Sequence, residues 1–174
     1  MPPVDPLRRL LEAAVEGDNV AVNELVRSTQ DRVLRLCRSL GSAGDEEDLA
    51  QETYLRALRS LHTYRGDAPA LVWLLSIARH VCADQVRRRQ RQRRLVVRIS
   101  RYTTAPSAPA DQHLDELLEV LHDDRREAFV LTQLVGLSYE EAAAVIDCPI
   151  GTVRSRVARA RADLMEAVRE QDAV

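Results

Sequence analysis

Aromatic side chains are scarce in this 174-residue sequence, where Tyr54, Tyr64, Trp73, Tyr102, Phe129 and Tyr139 make up 3% of the total. β-Branched residues are few beside Leu, Ala, Arg and Glu taken together, so helix formers outnumber strand formers. The expected fold is all-α. Six Gly and seven Pro are too few for a collagen-like or low-complexity chain, and 45% apolar beside 30% charged residues excludes intrinsic disorder. No apolar run approaches the roughly 18 residues of a membrane span. The opening Met1-Pro-Pro-Val-Asp-Pro6 lacks the basic and apolar regions of a signal peptide, so the expected location is the cytosol.

Cysteine is equally thin. Cys37, Cys82 and Cys148 stand far apart, with no C-x-x-C pair and no histidines at ligand spacing, which supports neither a disulfide frame nor a zinc site. Buried free thiols are expected, and no metal or cofactor. An enzyme would need paired carboxylates, a metal cluster or a nucleophile beside its base. No such constellation stands outside the acidic start of one helix.

Lysine is absent, and all 25 basic residues are Arg. The net charge of −2 conceals an asymmetry. Residues 1–94 carry 16 Arg against 13 acids, whereas residues 113–174 carry seven against 13. From Arg79 to Arg101 there are nine Arg and a single acid, Asp84. A stripe of that kind is an electrostatic footprint for phosphate, since each neutralised phosphate releases condensed counterions.

Thr103 to Gln112 holds two Pro and small residues without apolar periodicity, and reads as an extended linker. The chain therefore divides into residues 1–94, a connection over 95–112, and residues 113–174. In the first part, Leu7 to Val15 and Ala21 to Leu40 are amphipathic, broken at Gly17-Asp-Asn19. Asp45-Glu-Glu-Asp48 places a side-chain cap and several carboxylates on the first turn of a helix over about Glu46 to His62. Its expected buried face is Ala50, Tyr54, Ala57, Leu58 and Leu61. The longest stripe follows Asp67-Ala-Pro69, through Leu71, Leu74, Leu75, Ala78, Val81, Cys82 and Val86, with Trp73 also read as core. Four helices result.

In the last part, Leu114, Leu117, Leu118 and Leu121 form one stripe, and Asp123 to Glu127 opens a helix that Gly136 closes. Ser138-Tyr-Glu-Glu141 is a capping box that starts a short helix ending near Ile146. After the turn Asp147-Cys-Pro149, a second helix buries Val153, Val157, Ala160 and Leu164. At 100° per residue its outer face is Gly151, Ser155, Ala158 and Ala162, flanked by Arg154 and Arg159. This is a helix-turn-helix pattern, in which small side chains let a helix enter the major groove. A free-standing helix-turn-helix regulator would fit this half, yet it gives residues 45–89 no role.

Two runs of motifs go further. Asp45-Glu-Glu-Asp-Leu-Ala-Gln-Glu-Thr-Tyr-Leu-Arg-Ala57, Tyr64-Arg-Gly-Asp-Ala68, Trp73-Leu-Leu-Ser-Ile-Ala-Arg-His80 and Asp84-Gln-Val-Arg-Arg-Arg89 come in one order. Leu137 to Ile146, Cys148 to Val157 and Arg159-Ala-Arg161 come in another. Together they resemble region 2 and region 4.2 of an RNA polymerase sigma factor of the extracytoplasmic-function (ECF) type, over roughly residues 7–170. The likeness is strongest to the actinobacterial sigma C type.

The resemblance implies a transcription initiation factor rather than an enzyme, with core RNA polymerase and promoter DNA as partners. It places Asp45, Glu47, Asp48, Gln51, Glu52 and Arg56 on the helix that docks onto the β′ coiled coil. It assigns the promoter element near position 10, read as extruded single strand, to His62, Tyr64, Arg65, Asp67, His80, Asp84, Arg87, Arg88 and Arg91. Base extrusion needs a polar pocket and cations for the backbone, and stacking platforms besides. This segment offers only Tyr64 and Trp73 as rings, which implies weak melting and demanding promoter specificity. For the element near position 35 the resemblance points to Thr152, Arg154, Ser155 and Arg159, with Arg156 and Arg161 bracing the backbone or pairing with acids. Ala158 stands where some relatives carry a bulky aromatic. The acid excess of residues 113–174 implies a protein contact as well, the flap of the β subunit. An anti-sigma protein is a further partner that the family admits.

Overall fold

The computed structural model describes residues 5–42, 44–96 and 109–172. Its described residues form eight α-helices and no strands: α1 (Pro6–Val15), α2 (Asn19–Leu40), α3 (Glu46–Ser60), α4 (Ala70–Val96), α5 (Pro109–Glu119), α6 (Asp123–Phe129), α7 (Tyr139–Ile146) and α8 (Ile150–Asp172).

Local chemistry sets the starts of the first helices. Asp5 caps α1 by accepting the Leu7 amide at 3.0 Å, and its other carboxylate oxygen accepts the Ala70 amide at 2.9 Å. One side chain thus satisfies the starts of α1 and α4 and holds them together. Asp18 caps α2 through the Val20 and Ala21 amides. The stripe read on α4 is buried from Leu71 through Cys82. It packs with Val33, Leu36 and Cys37 of α2 and Leu49, Ala50 and Ala57 of α3. Thr29 bridges α2 to α3, its hydroxyl 2.9 Å from the Tyr54 hydroxyl and donating to the Leu25 carbonyl.

The second half builds from α6, which runs on as a π-helical turn over Val130–Leu134. Gly136, at φ +83°, then reverses the chain, a conformation that carries no Cβ penalty in glycine. The capping box forms as read: the Glu141 amide donates to Ser138 Oγ and the Ser138 amide donates to Glu141 Oε2. Asp147 takes the left-handed conformation in the turn, and Val153, Val157 and Ala160 face inward from α8.

The two halves are not separate bodies. Buried side chains of α2 and α4 run without a break into Leu118, Leu131, Val135, Leu137, Ala142 and Val153, one apolar core through both. Polar contacts flank it. Arg35 donates to the Leu134 carbonyl at 2.8 Å, Arg38 lies 3.9 Å from Asp115, and Arg79 pairs with Glu127.

Four expectations need correction. The reading of Thr103 to Gln112 as extended fails at its end, because α5 begins at Pro109, where proline's fixed φ suits a first turn. Residues 103–108 lie outside the described residues. Asp45 makes no side-chain cap on α3. Its carboxylate accepts instead from Gln85 at 2.8 Å and from Arg89, a charge-assisted pairing stronger than one to a neutral amide. Leu58 is 38% exposed. It lies about 80° round the helix from Ala50, and the buried stripe is narrow, with Thr53 completing it and donating to the Leu49 carbonyl. Cys148 is half-buried, since it sits in the turn before α8, whereas Cys37 and Cys82 are buried.

Candidate nucleic-acid interface

α4 carries a cationic face. At 100° per residue His80, Asp84, Arg87, Arg88 and Arg91 fall within an arc of about 100°, and all five are exposed. The side opposite is the buried stripe, so packing alone turns this row outward. His80 donates from Nδ1 to the Ser76 carbonyl at 2.6 Å. Asp84 lies between arginines. It accepts from Arg56 at 2.9 Å and from Arg87 at 2.7 Å. The Arg56 hydrogen bond, with that of Arg87 after it, holds the Asp84 carboxyl below its ordinary range. The Arg56 guanidinium is correspondingly raised, first by Asp84 and then by Glu52.

α3 lies beside α4 across a groove of about 820 Å³ lined by Asp45, Asp48, Glu52 and Arg56 on one wall and Asp84, Arg88 and Arg91 on the other. Glu47, Asp48 and Gln51 are exposed, while Asp45, Glu52 and Arg56 are half-buried. Sequence reasoning missed two residues here. Leu55 is 43% exposed, and Leu55 and Leu58 stand among the charged and polar side chains of this face. Their spacing of four and seven from Gln51 is the signal that would have found them.

The segment between α3 and α4 starts as a 3₁₀ turn over Leu61–Thr63. His62, Arg65 and Asp67 are exposed on it. Tyr64 is held instead: its hydroxyl donates to the Ala68 carbonyl at 2.9 Å, and its ring lies 5.4 Å from that of Trp73. Trp73 itself packs against the core, as expected. Gly66, at φ +76°, lets the loop turn beneath Arg8.

The helix-turn-helix presents α8. Gly151, Arg154, Ser155, Ala158, Arg159 and Ala162 are exposed together, and Thr152 is half-buried. Ser155 donates to the Thr152 carbonyl at 2.9 Å. Arg156 pairs with Asp124 at 2.8 Å, whereas Arg161 donates to the amide oxygen of Gln133 at 2.7 Å. Arg154 and Arg159 therefore flank a shallow face of small residues. The candidates fall into three sets on three helices: α3, α4 with its preceding loop, and α8.

Family models described as "Sigma-70 region 2" and "Sigma-70, region 4" match residues 25–92 and 111–164, the spans that hold the candidate residues of these three helices. The chain is 40% identical to the ECF RNA polymerase sigma factor SigC of Mycobacterium tuberculosis, covering 92% of this chain and 90% of that protein. The chain belongs to the ECF sigma factors of the sigma-70 family. It is also 36% identical to the ECF RNA polymerase sigma-E factor of Escherichia coli K12, over 87% of this chain and 88% of that one.

Solved structures agree in fold. CnrH in complex with the cytosolic domain of CnrY superposes with a TM-score of 0.77 at 29% identity, covering 94% of this sigma factor and 97% of CnrH. The sigma factor RpoE of Bartonella quintana, in complex with the anti-sigma factor NepR, superposes at 0.71 and 30% identity, covering 84% and 97%. As a sigma factor, this protein serves transcription initiation with RNA polymerase and is not an enzyme. Among the described residues no helix is long and apolar enough to cross a membrane.

Proposed function

We propose that this sigma factor docks on core RNA polymerase through α3, reads the promoter element near position 10 as extruded single strand through Leu61–Ala70 and α4, and reads the element near position 35 through α8. The observation that carries the reading is the presence, in one chain, of two separate cationic helix faces of different kinds. The row on α4 gathers Arg87, Arg88 and Arg91 beside His80 and is bordered by a polar loop, which suits a flexible strand of phosphates and splayed bases. The face of α8 is small at its centre and cationic at its edges, which suits a rigid groove.

The α3 face is of a third kind. Glu47, Asp48, Gln51 and Glu52 surround Leu55 and Leu58, an apolar centre with a charged rim, which is the composition of a protein-docking patch. Leu55 and Leu58 join Asp45, Glu47, Asp48, Gln51, Glu52 and Arg56 in this role. Arg56, turned onto Asp84 and Glu52, acts there by positioning Glu52 rather than by direct contact. The acid excess of the second half supports a further contact of region 4 with the β flap. The Bartonella sigma factor was solved with an anti-sigma factor, and a protein of that class is a fitting regulator here too. The site of action is the cytosol, with polymerase and DNA.

Gel filtration of the full chain with purified core polymerase, beside filter binding of the chain alone to a 30-base-pair duplex, tests this reading. Stoichiometric co-elution with core and weak duplex binding are expected. Failure to co-elute, or nanomolar sequence-specific duplex binding without core, would overturn it.

A further inference from the structure

Asp84 is the one acid between Arg79 and Arg101, and it stands on the exposed arc of α4 with Arg87, Arg88 and Arg91. A carboxylate there repels phosphate, so contact with a DNA backbone is not its use. Its hydrogen bonds indicate another. One oxygen takes Arg87 at 2.7 Å and the other takes Arg56 of α3 at 2.9 Å, while Arg56 also holds Glu52 at 2.7 Å. A chain of alternating charge, Glu52, Arg56, Asp84 and Arg87, thus crosses from the α3 face to the α4 face. Arg88 and Arg91 make no ion pair among those seen in the described residues.

We propose that Asp84 is a specificity-determining positioning residue, which ties Arg87 and Arg56 back and so prevents the α4 row from gripping arbitrary duplex DNA. The proposal rests on the reading of α4 as the nucleic-acid face. The effect is on discrimination, not on strength. A half-exposed ion pair contributes little to stability. It does fix a guanidinium that would otherwise sweep a wide volume, and it places a negative charge where a nonspecific phosphate would sit. Arg87 is released only to a ligand whose phosphate is held in place by the rest of the row. A single strand can follow that row, and a stiff duplex meets it at fewer points.

Asp84→Asn keeps the shape and removes the charge, and Asp84→Glu keeps the charge. The full chain of each is titrated with a fluorescent 30-base-pair duplex of arbitrary sequence and with a 30-nucleotide single strand, from 50 to 200 mM salt. Asp84→Asn frees Arg87, since Glu52 still holds Arg56, so duplex binding is expected to tighten by about fivefold to tenfold, with the slope of log K against log salt steeper by about one. The ratio of single-strand to duplex affinity falls, and Asp84→Glu restores it. A purely structural role would weaken binding or leave the slope alone.

Arg88→Ala and Arg91→Ala are measured beside these. If they lower single-strand binding while Asp84→Asn matches the unsubstituted protein in slope and ratio, the positioning role is wrong and the α4 reading stands. If they too leave binding unchanged, the α4 reading fails and the proposal fails with it.

Discussion

Arg79 on α4 and Glu127 on α6 form a two-point ion pair between the two halves, Nε to Oε1 and Nη2 to Oε2, the second at 3.3 Å. Both side chains are largely covered, 26% and 18% exposed. A paired guanidinium and carboxylate in that setting is oriented as well as attracted, and loss of one partner leaves the other charge half-buried and unmatched.

Reversal of one partner should therefore loosen the junction between the halves. The intact chain is expected to be compact, with a radius of gyration of about 16 Å for its length. Glu127→Arg, which sets a guanidinium against Arg79, should raise that value in small-angle X-ray scattering while the helical circular dichroism signal persists. An unchanged radius would show that the apolar contacts alone hold the halves.

The shared core makes a thermal prediction. Leu75 and Leu131 are fully buried on opposite sides of the junction, in one apolar cluster. Leu75→Ala and Leu131→Ala should each destabilise by about 2–5 kcal/mol, lowering one common calorimetric transition by several degrees. Two transitions, each sensitive to only one substitution, would mean that the halves fold independently.

Docking can be separated from folding on α3. Asp48→Arg and Leu55→Arg change exposed side chains, for which stability effects are small. Each should reduce competition for core polymerase at least tenfold with melting temperature nearly unchanged. Asp48 is the cleaner position, since Glu52 is already committed to Arg56. Competition equal to that of the unsubstituted protein would remove α3 from the interface.

The thiols should differ in reactivity. Cys148 is half-buried and its sulfur lies 3.9 Å from Arg156, while Cys37 and Cys82 are 0% and 1% exposed. Hydrogen bonding to Cys37 and burial push the Cys82 thiol further up. A thiol reagent added to the native protein should label one cysteine quickly, at Cys148 by peptide mapping, and all three only on unfolding.

What could be read in advance was local or periodic. The Ser138 and Glu141 capping box depends on residues three apart, and the α4 row on a helical repeat, so both were legible. Asp45 was misjudged because its partners, Gln85 and Arg89, lie forty and forty-four residues away on another helix. Leu58 was misjudged because a buried stripe made of Ala50, Thr53 and Ala57 is narrower than one made of Leu, and the stripe's width follows from how closely α2 and α4 approach. The union of the halves was invisible for the same reason. Nothing near Arg79 in the sequence names Glu127, and the residues between them suggested separation.

The division of labour between α4 and α8 is tested most directly by run-off transcription from a genomic fragment library, with purified core polymerase and the full chain. Discrete start sites that depend on the chain are expected. Arg88→Ala with Arg91→Ala should block open-complex formation on those promoters, and Arg154→Ala with Arg159→Ala should weaken their initial recognition, each with core binding retained. Failure of both pairs at the same step, or transcripts that do not depend on the chain, would contradict it.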